Sequence, residues 1–244
     1  MSFFQFFKIA TKSLVSVDIH SHLIPAIDDG AKNMERSIEM ILSLKELGYC
    51  KLIITPHVSD MFLNSKENIL EGYNRLKEEL DRRKIDIDLE VAAEYYVDDT
   101  FDMLLKKRDI LTFGEEKYLL FELSYFTEHQ DLEGLIYEII LAGYRPILAH
   151  PERYVYFHND FNRYKELKST GVLFQINLNS IVGYYSSEIE KVVKRLIKEG
   201  LVDFIGSDTH HKQHVKSLKK CFKNSEYRKI LKKNRLLNDT LLTC

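Results

Sequence analysis

Asp18-Ile19-His20-Ser21-His22 closes the first apolar run of the chain, and Ile27-Asp28-Asp29-Gly30 follows it within a few residues. The run Leu14–Ile19 is apolar and rich in β-branched residues, so it reads as a strand. A period of two puts the imidazoles of His20 and His22 on the same side of it. Taken alone, His-X-His is weak, because a single histidine is more often a hydrogen-bonded structural residue than a ligand. The pair gains meaning from what recurs downstream.

Six further runs read as strands: Lys51–Thr55, Ile87–Ala93, Tyr118–Leu123, Pro146–Ala149, Val172–Asn177 and Val202–Gly206. Helical patterns lie between them. Met34, Ile38, Ile41 and Leu44 form one, and Ile69, Tyr73, Leu76 and Leu80 another, at steps of three and four; two more run from Leu132 to Ala142 and from Ile189 to Ile197. Gly48, Gly143, Gly171 and Gly200 each follow a helical pattern, where a left-handed cap favours glycine. Seven strands alternating with helices predict a parallel α/β fold. His57, Glu94, Glu122, His150, Asp208 and His210 all fall at the C-terminal ends of these runs. In a barrel such ends converge on one mouth, whereas in an open sheet they spread along a line, so a closed or distorted barrel is the favoured architecture.

Composition sets the outer bounds. The chain has 244 residues, 45% hydrophobic and 30% charged, with formal net charge -2. That suits one globular domain, 1–244, and argues against a nucleic-acid binder. The charge is uneven: Lys212 to Arg235 holds ten basic residues against one acid, Glu226, which leaves 25 basic and 36 acidic side chains elsewhere. Residues 211–244 therefore read as a basic helical end, more simply a pair of solvated amphipathic helices closing the fold than a partner-binding surface. Three cysteines, Cys50, Cys221 and Cys244, match neither a disulfide framework nor a thiolate metal motif. No run reaches the roughly 20 apolar residues of a membrane span, so a cytoplasmic protein with no stable membrane insertion is expected. The extension 1–16 carries Phe3, Phe4, Phe6 and Phe7, which are open to packing on the barrel, self-association into an oligomer or approach to a membrane; packing is favoured.

Five of the nine histidines (His20, His22, His57, His150 and His210) share the strand ends with Glu94, Glu122 and Asp208. Imidazoles with carboxylates and no thiolate suit Zn, Mn or Fe as hydrolytic metals. Each residue has a plainer reading: Glu94 and Glu122 as strand-ending charges turned to solvent, Asp28 as a turn residue. Their joint recurrence favours a metal site. Arg153, three residues after His150, offers a planar donor fork for phosphate; its plainer reading is a surface ion pair with Glu152. His129, His158, His211 and His214 are read as surface residues.

With these residues assembled, the chain resembles the PHP (polymerase and histidinol phosphatase) superfamily, and more narrowly the bacterial PHP-type protein-tyrosine phosphatases of capsular and exopolysaccharide biosynthesis. The stretches that carry the resemblance are DIHSHLIPAIDDGAKNMERSIEM, ITPH, the strand ending at Glu94, FELS, ILAHPERY and IGSDTH, in that order over residues 17–210. The resemblance implies a distorted (β/α)7 TIM-like barrel holding three divalent metals, with Mn2+ favoured and Fe, Zn or Mg as alternatives. His20, His22, Glu94 and Asp208 would bind the first. Glu94 would bridge to the second, completed by Glu122 and His150, and Asp29, His57 and His210 would hold the third. Arg153, Asp208 and His210 would take part in catalysis, Arg153 by binding the phosphoryl group. The implied reaction is phosphomonoester hydrolysis by metal-activated water, and the implied partner is a phosphotyrosine protein, the tyrosine-rich tail of a polysaccharide-export kinase. A small-molecule PHP phosphatase such as one for histidinol phosphate, a PHP nuclease and a non-catalytic metal-stabilised binding module remain open beside it.

Overall fold

Residues 12–242, which the computed structural model describes, alternate between strand and helix. In chain order these are β1 (Val17–Asp18), α1 (Met34–Glu46), β2 (Lys51–Ile54), β3 (His57–Val58), α2 (Lys66–Arg82), β4 (Asp88–Val91), β5 (Glu94–Tyr96), α3 (Asp99–Lys107), β6 (Tyr118–Glu122) and α4 (Leu132–Leu141). There follow β7 (Arg145–Ala149), α5 (Asn162–Ser169), β8 (Leu173–Asn177), α6 (Ser187–Glu199), β9 (Phe204–Gly206), α7 (Lys212–Cys221) and α8 (Ser225–Lys233). Every pairing between these strands is parallel, as strands connected through helices require. Among the described residues no helix is long and apolar enough to cross a membrane.

The expected strands two and three are each followed, after a short break, by a further short strand. Pro56 has no N–H to give to a ladder, and it separates β2 from β3; Ala92 and Ala93 separate β4 from β5 at the same level. Backbone bonds from Ala92 N to Ile54 O (2.9 Å) and Glu94 N to Pro56 O (3.0 Å) keep the two breaks side by side. The result is a sheet of three strands, β1-β2-β4, and one of six, β3-β5-β6-β7-β8-β9, in place of a single continuous barrel sheet. The pairing order nonetheless returns to its start. Ser21 bridges Thr209 in parallel, with His22 N on Thr209 O (3.0 Å) and Asp208 N on His20 O (2.9 Å).

Below that bridge the first and last strands are joined by side chains. Asn238, fully buried in a 310 turn at Asn238–Leu241, donates to Val17 O (3.0 Å) and Ile205 O (2.8 Å) and accepts from Ile205 N (3.1 Å). Asp18 takes the next level up, accepting from Ser207 N (2.8 Å) and Ser207 Oγ (2.5 Å). Two apolar cores follow from strand alternation. Val17, Ile19, Ile53, Ala92, Leu120, Ile147, Ala149 and Phe204 form the smaller one, capped below by Leu241. The intervening residues, such as Leu52, Ile54, Leu119, Phe121, Leu148, Phe174 and Ile205, join the helices in the larger.

The basic segment forms α7 and α8, which bury Val215, Leu218, Cys221, Tyr227 and Ile230 and leave their lysines exposed. Tyr227 accepts from Leu14 N (2.7 Å), so α8 holds the approach to β1, and the expected strand Leu14–Ile19 shortens to Val17–Asp18. Phe3, Phe4, Phe6 and Phe7 lie outside the described residues. The short α3 and α5 were not apparent in the apolar pattern: each buries only two side chains, Phe101 with Leu105 and Tyr164 with Leu167.

Asn238→Leu would strand three buried backbone groups, at roughly 1–3 kcal/mol each. We expect a loss of about 3 kcal/mol or more, a fall in Tm of roughly 6–12 °C for a domain of this size. Calorimetry reads it; a fall under about 2 °C would show that the seam is held elsewhere.

Candidate metal centre

The ends of the strand segments supply the site in turn. His20 and His22 follow β1, His57 opens β3, Glu94 opens β5, Glu122 ends β6, His150 follows β7, and Asp208 and His210 follow β9. Glu94 therefore begins a strand instead of ending one, because the break at Ala92-Ala93 resets the segment just before it. Asp29 reaches the same mouth from the turn after β1, where a Cβ on Gly30 would collide with the His22 backbone oxygen; only glycine lets the turn fold back so closely. His150 (φ 34) and Asp208 (φ 48) sit in the left-handed region, conformations that cost on the order of 1–3 kcal/mol each for non-glycine residues.

All nine expected ligands come together. Three sets have their donor atoms within 4.8 Å of one another: His20, His22 and Asp208; His57, Glu94 and Glu122; and His22, Asp29, His57 and His210. His150 Nε2 lies 3.0 Å from Glu94 Oε1 and 3.6 Å from Glu122 Oε2. Glu94 and Glu122 are buried, at 1% and 6% exposure, so neither is a solvent-facing charge.

The donors fit a cation. His20 Nδ1 meets Gln175 Oε1 at 2.7 Å, and His22 Nδ1 meets Asp28 Oδ2 at 2.8 Å. Both partners are acceptors, so each Nδ1 carries its ring proton and each Nε2 faces inward, where it can give its lone pair to a metal. Those two Nε2 atoms are 3.3 Å apart. Two such nitrogens stay that close only with a positive charge between or beside them, a proton or a metal ion. Glu94 Oε2 is buried without a hydrogen-bond partner, although His20 Nε2, His57 Nδ1 and His22 Nε2 stand 3.1, 3.2 and 3.4 Å away. A divalent metal answers both features.

The field at the mouth is strongly negative. Burial would lower the pKa of His20, but the Glu94 and Asp208 carboxylates outweigh it and raise it to about 9. The same competition takes His57 to about 9, through Glu94 and Glu122, and His210 to about 11, mainly through Asp208. Burial opposes ionisation of Glu94 and Asp208, yet the imidazoles hold both well below the usual carboxylate range. These acids demand positive charge at close range, and a metal supplies it more compactly than protons do.

Arg153 is not paired with Glu152. That acid is fully buried and turned away, accepting from Asn177 N (2.9 Å) and Ser180 Oγ (2.7 Å). The Arg153 guanidinium lies between the rings of Tyr125 (4.3 Å) and Tyr185 (4.6 Å), with Nη1 3.4 Å from Asp208 Oδ2. It lines a cavity of about 610 Å³ together with the ligand candidates and with Met61, Phe62 and Tyr96.

Sequence reading missed the supporting residues. Asp28, read as a turn residue, is the partner of His22 and also accepts from His57 N (3.2 Å). Gln175 and Asn177 orient His20 and Asp208; the signal was there, since both are polar residues at a period of two inside an apolar strand. His214, expected at the surface, is buried with Nδ1 2.8 Å from Asp208 O, because α7 turns its inner face onto the mouth. His158 is half-buried beside Glu152 O, His129 is half-buried and His211 exposed; of these three, only His211 lines the cavity.

A parallel α/β fold that gathers three imidazole–carboxylate sets at one mouth is of the PHP type. Residues 16–235 match the family described as capsular polysaccharide synthesis, CpsB/CapC, and the chain belongs to that family. The tyrosine-protein phosphatase YwqE of Bacillus subtilis is 30% identical over 196 residues, covering 80% of this chain and 77% of the relative. The tyrosine-protein phosphatase CpsB of Streptococcus agalactiae is 30% identical over 203 residues, covering 80% and 83%. A crystal structure from the pair YwqE of Bacillus subtilis and CpsB of Streptococcus pneumoniae, described as unique metal-dependent tyrosine phosphatases, has a TM-score of 0.77 at 27% identity. It covers 88% of this chain and 91% of its own.

Asp28→Ala and Gln175→Leu remove the partners that orient His22 and His20. Each is expected to weaken metal retention by about 10–100-fold, measured by competition with a chelator. Parent-like retention in both would show that the imidazoles need no such support.

Proposed function

We propose that the chain is a metal-dependent protein-tyrosine phosphatase. In this reading His20, His22, Glu94 and Asp208 hold one divalent ion, Glu94, Glu122 and His150 a second, and Asp29, His57 and His210 a third, with Mn2+ favoured. The observation that carries it is the pair of inward-facing Nε2 atoms, 3.3 Å apart, beside a cavity whose one guanidinium is held by two aromatic rings. Membership of a capsular polysaccharide synthesis family supports a phosphorylated kinase of polysaccharide export as the substrate; the cytoplasm is the proposed location.

The metals would supply Lewis acidity, acidifying water and offsetting charge on the phosphoryl oxygens. The remaining work falls to the chain. Arg153 presents its fork to the phosphoryl oxygens, and Tyr125 and Tyr185 fix the plane of that fork. Asp208 Oδ2, which accepts from Asn177 Nδ2 at 2.6 Å, sets the fork's position from behind. Phe62, stacked on His57 with ring centroids 5.4 Å apart, and the exposed Met61 and half-buried Tyr96 give the rim an apolar lining suited to an aryl group. Water oxygen adds to phosphorus as the bond to the phenol oxygen breaks, giving phosphate and tyrosine; the proton released by water ends on the phenolate. A phenolate leaves readily, so no strong general acid is required. Among the described residues no cysteine lines the cavity: Cys221 is buried on α7 and Cys50 precedes β2, at the opposite end of the strands.

Hydrolysis of p-nitrophenyl phosphate and of a phosphotyrosine peptide with Mn2+ should vanish with EDTA and survive iodoacetamide; the reverse pattern would sink the proposal. Histidinol phosphate should be the poorer substrate, and a preference for it by orders of magnitude would overturn the substrate while sparing the metal site. Arg153→Ala should lower kcat/KM by roughly 10²-fold or more, the worth of two charge-assisted hydrogen bonds. Arg153→Lys should recover little of it, since an ammonium neither forks nor stacks in the same way.

A further inference from the structure

Beside the metal centre lies a second cavity of about 370 Å³, lined by Lys32, Arg36, Met40, Lys212 and Gln213 together with His211 and the turn at Gly30-Ala31. Asp29 and His210 belong to both cavities, so the two are contiguous through a pair of ligand candidates. Asp29 faces the metal centre, with Oδ1 3.3 Å from His210 Nε2 and 3.7 Å from His57 Nε2. That leaves the second cavity with three cations. The one carboxylate bonded to them is Glu39, which reaches Arg36 Nη1 at 2.9 Å and Lys212 Nζ at 2.7 Å and holds the two side by side. Lys32 forms no ion pair among the described residues.

These cations stand where local helix energetics disfavour them. Lys212 is the first residue of α7, which has no acidic residue in its first turn and no side-chain cap from His211. Arg36 lies in the first turn of α1 next to Glu35, which is itself engaged by Arg83 (2.9 Å), and Lys32 just precedes that helix. Positive side chains at a helix N-terminus oppose the macrodipole, and Lys212 does so at α7 with no acid or cap beside it. A local rule broken at α7, with three cations gathered around the single carboxylate of Glu39 on a body that is otherwise acidic, points to a ligand that offsets the repulsion. That ligand is an anion. It is not the scissile phosphoryl group, which Arg153 and the metal candidates receive on the far side of His210 and Asp29.

We propose that this second cavity is an anion subsite, which receives a carboxylate or phosphoryl group carried by the same polypeptide as the phosphotyrosine in the metal centre. The proposal rests on the phosphatase reading above and adds to it a substrate class: peptides with a second negative charge near the target tyrosine. The opposite rim carries Asp60 and Asp98 with the apolar Met61, so the preference has a direction along the bound peptide.

The test compares kcat/KM of the metal-loaded full chain for phosphotyrosine peptides that differ only in the flanks: neutral, one Glu, one second phosphotyrosine, or one Lys, scanned over the nearest positions on either side. Exposed charge pairs contribute modestly, so a preference of about five- to tenfold for an anionic flank over the neutral peptide is expected, on one side of the target only. The Glu and phosphotyrosine arms identify which source of negative charge the subsite takes. In the Lys32→Gln/Arg36→Gln double variant the preference should fall to about one; Lys212→Gln alone, which leaves α1 untouched, should reduce it if the double variant fails to fold. Lys219→Gln/Lys220→Gln, exposed further along α7, should keep it. Absence of any preference in the parent, or equal loss in the Lys219/Lys220 variant, overturns the subsite in favour of a diffuse field. Turnover of p-nitrophenyl phosphate and the neutral peptide without charge preference sinks the subsite alone. No turnover of either by the metal-loaded parent sinks the phosphatase reading itself.

Discussion

A buried carboxylate, Glu94, sets the terms for the rest of the molecule. Its Oε2 stands within 3.4 Å of three imidazole nitrogens, and its Oε1 is 3.0 Å from a fourth. Removing such a group from water costs several kcal/mol after relaxation, and that cost is met only by positive charge at contact distance. The four imidazoles come from segments on opposite sides of the fold, which forces those segments to converge. Several irregularities are consequences of this convergence. The strands break at Pro56 and at Ala92-Ala93 just below Glu94, His150 and Asp208 adopt left-handed backbone, and a Cβ on Gly206 would press on His20 Cβ at 2.8 Å. Regular pairing resumes one layer lower, where Val17, Ile53, Ala92, Leu120, Ile147 and Phe204 fill the interior with hydrocarbon.

The same contrast explains what could be read from sequence. Histidines and acids at the ends of apolar runs were legible because strand alternation and strand direction are one-dimensional properties. The α/β class and parallel pairing followed from the same reasoning. The partners that orient those side chains were not legible, since they are fixed by approaches between distant segments. Asp28 and Asp29 are neighbours in one turn, yet one braces His22 from behind and the other faces His57 and His210. Nothing local distinguishes them. Gln175 and Asn177 could have been found, because two polar residues on one face of an apolar strand require buried partners. The split into two sheets was signalled only by Pro56; the matching break beside it has no sequence mark beyond two alanines.

The unevenness of charge along the chain resolves into separate jobs on separate faces. α7 and α8 turn Val215, Leu218, Tyr227 and Ile230 inward and lysines outward, while the turn after them stitches the first strand to the last through Asn238. The basic end is thus a structural closure on one side. On the other, its first residue, Lys212, reaches the edge of the metal centre.

That arrangement has a thermodynamic corollary. Asp29, Glu94, Glu122 and Asp208 bring four carboxylates to the mouth, and without a metal their charge is met by Arg153 and by protons on His20, His57 and His210. A phosphate dianion approaching that set would find its cations already engaged by carboxylates, Arg153 by Asp208 at 3.4 Å among them. Divalent cations held by the imidazoles and acids would add positive charge to that field. Any anion bound there must in turn tighten their hold, since linkage between two sites is reciprocal. Substrate affinity and metal retention are then two readings of one coupling free energy. The sandwich of Tyr125, Arg153 and Tyr185 would keep that coupling short-ranged, by fixing a guanidinium beside the candidate ligands.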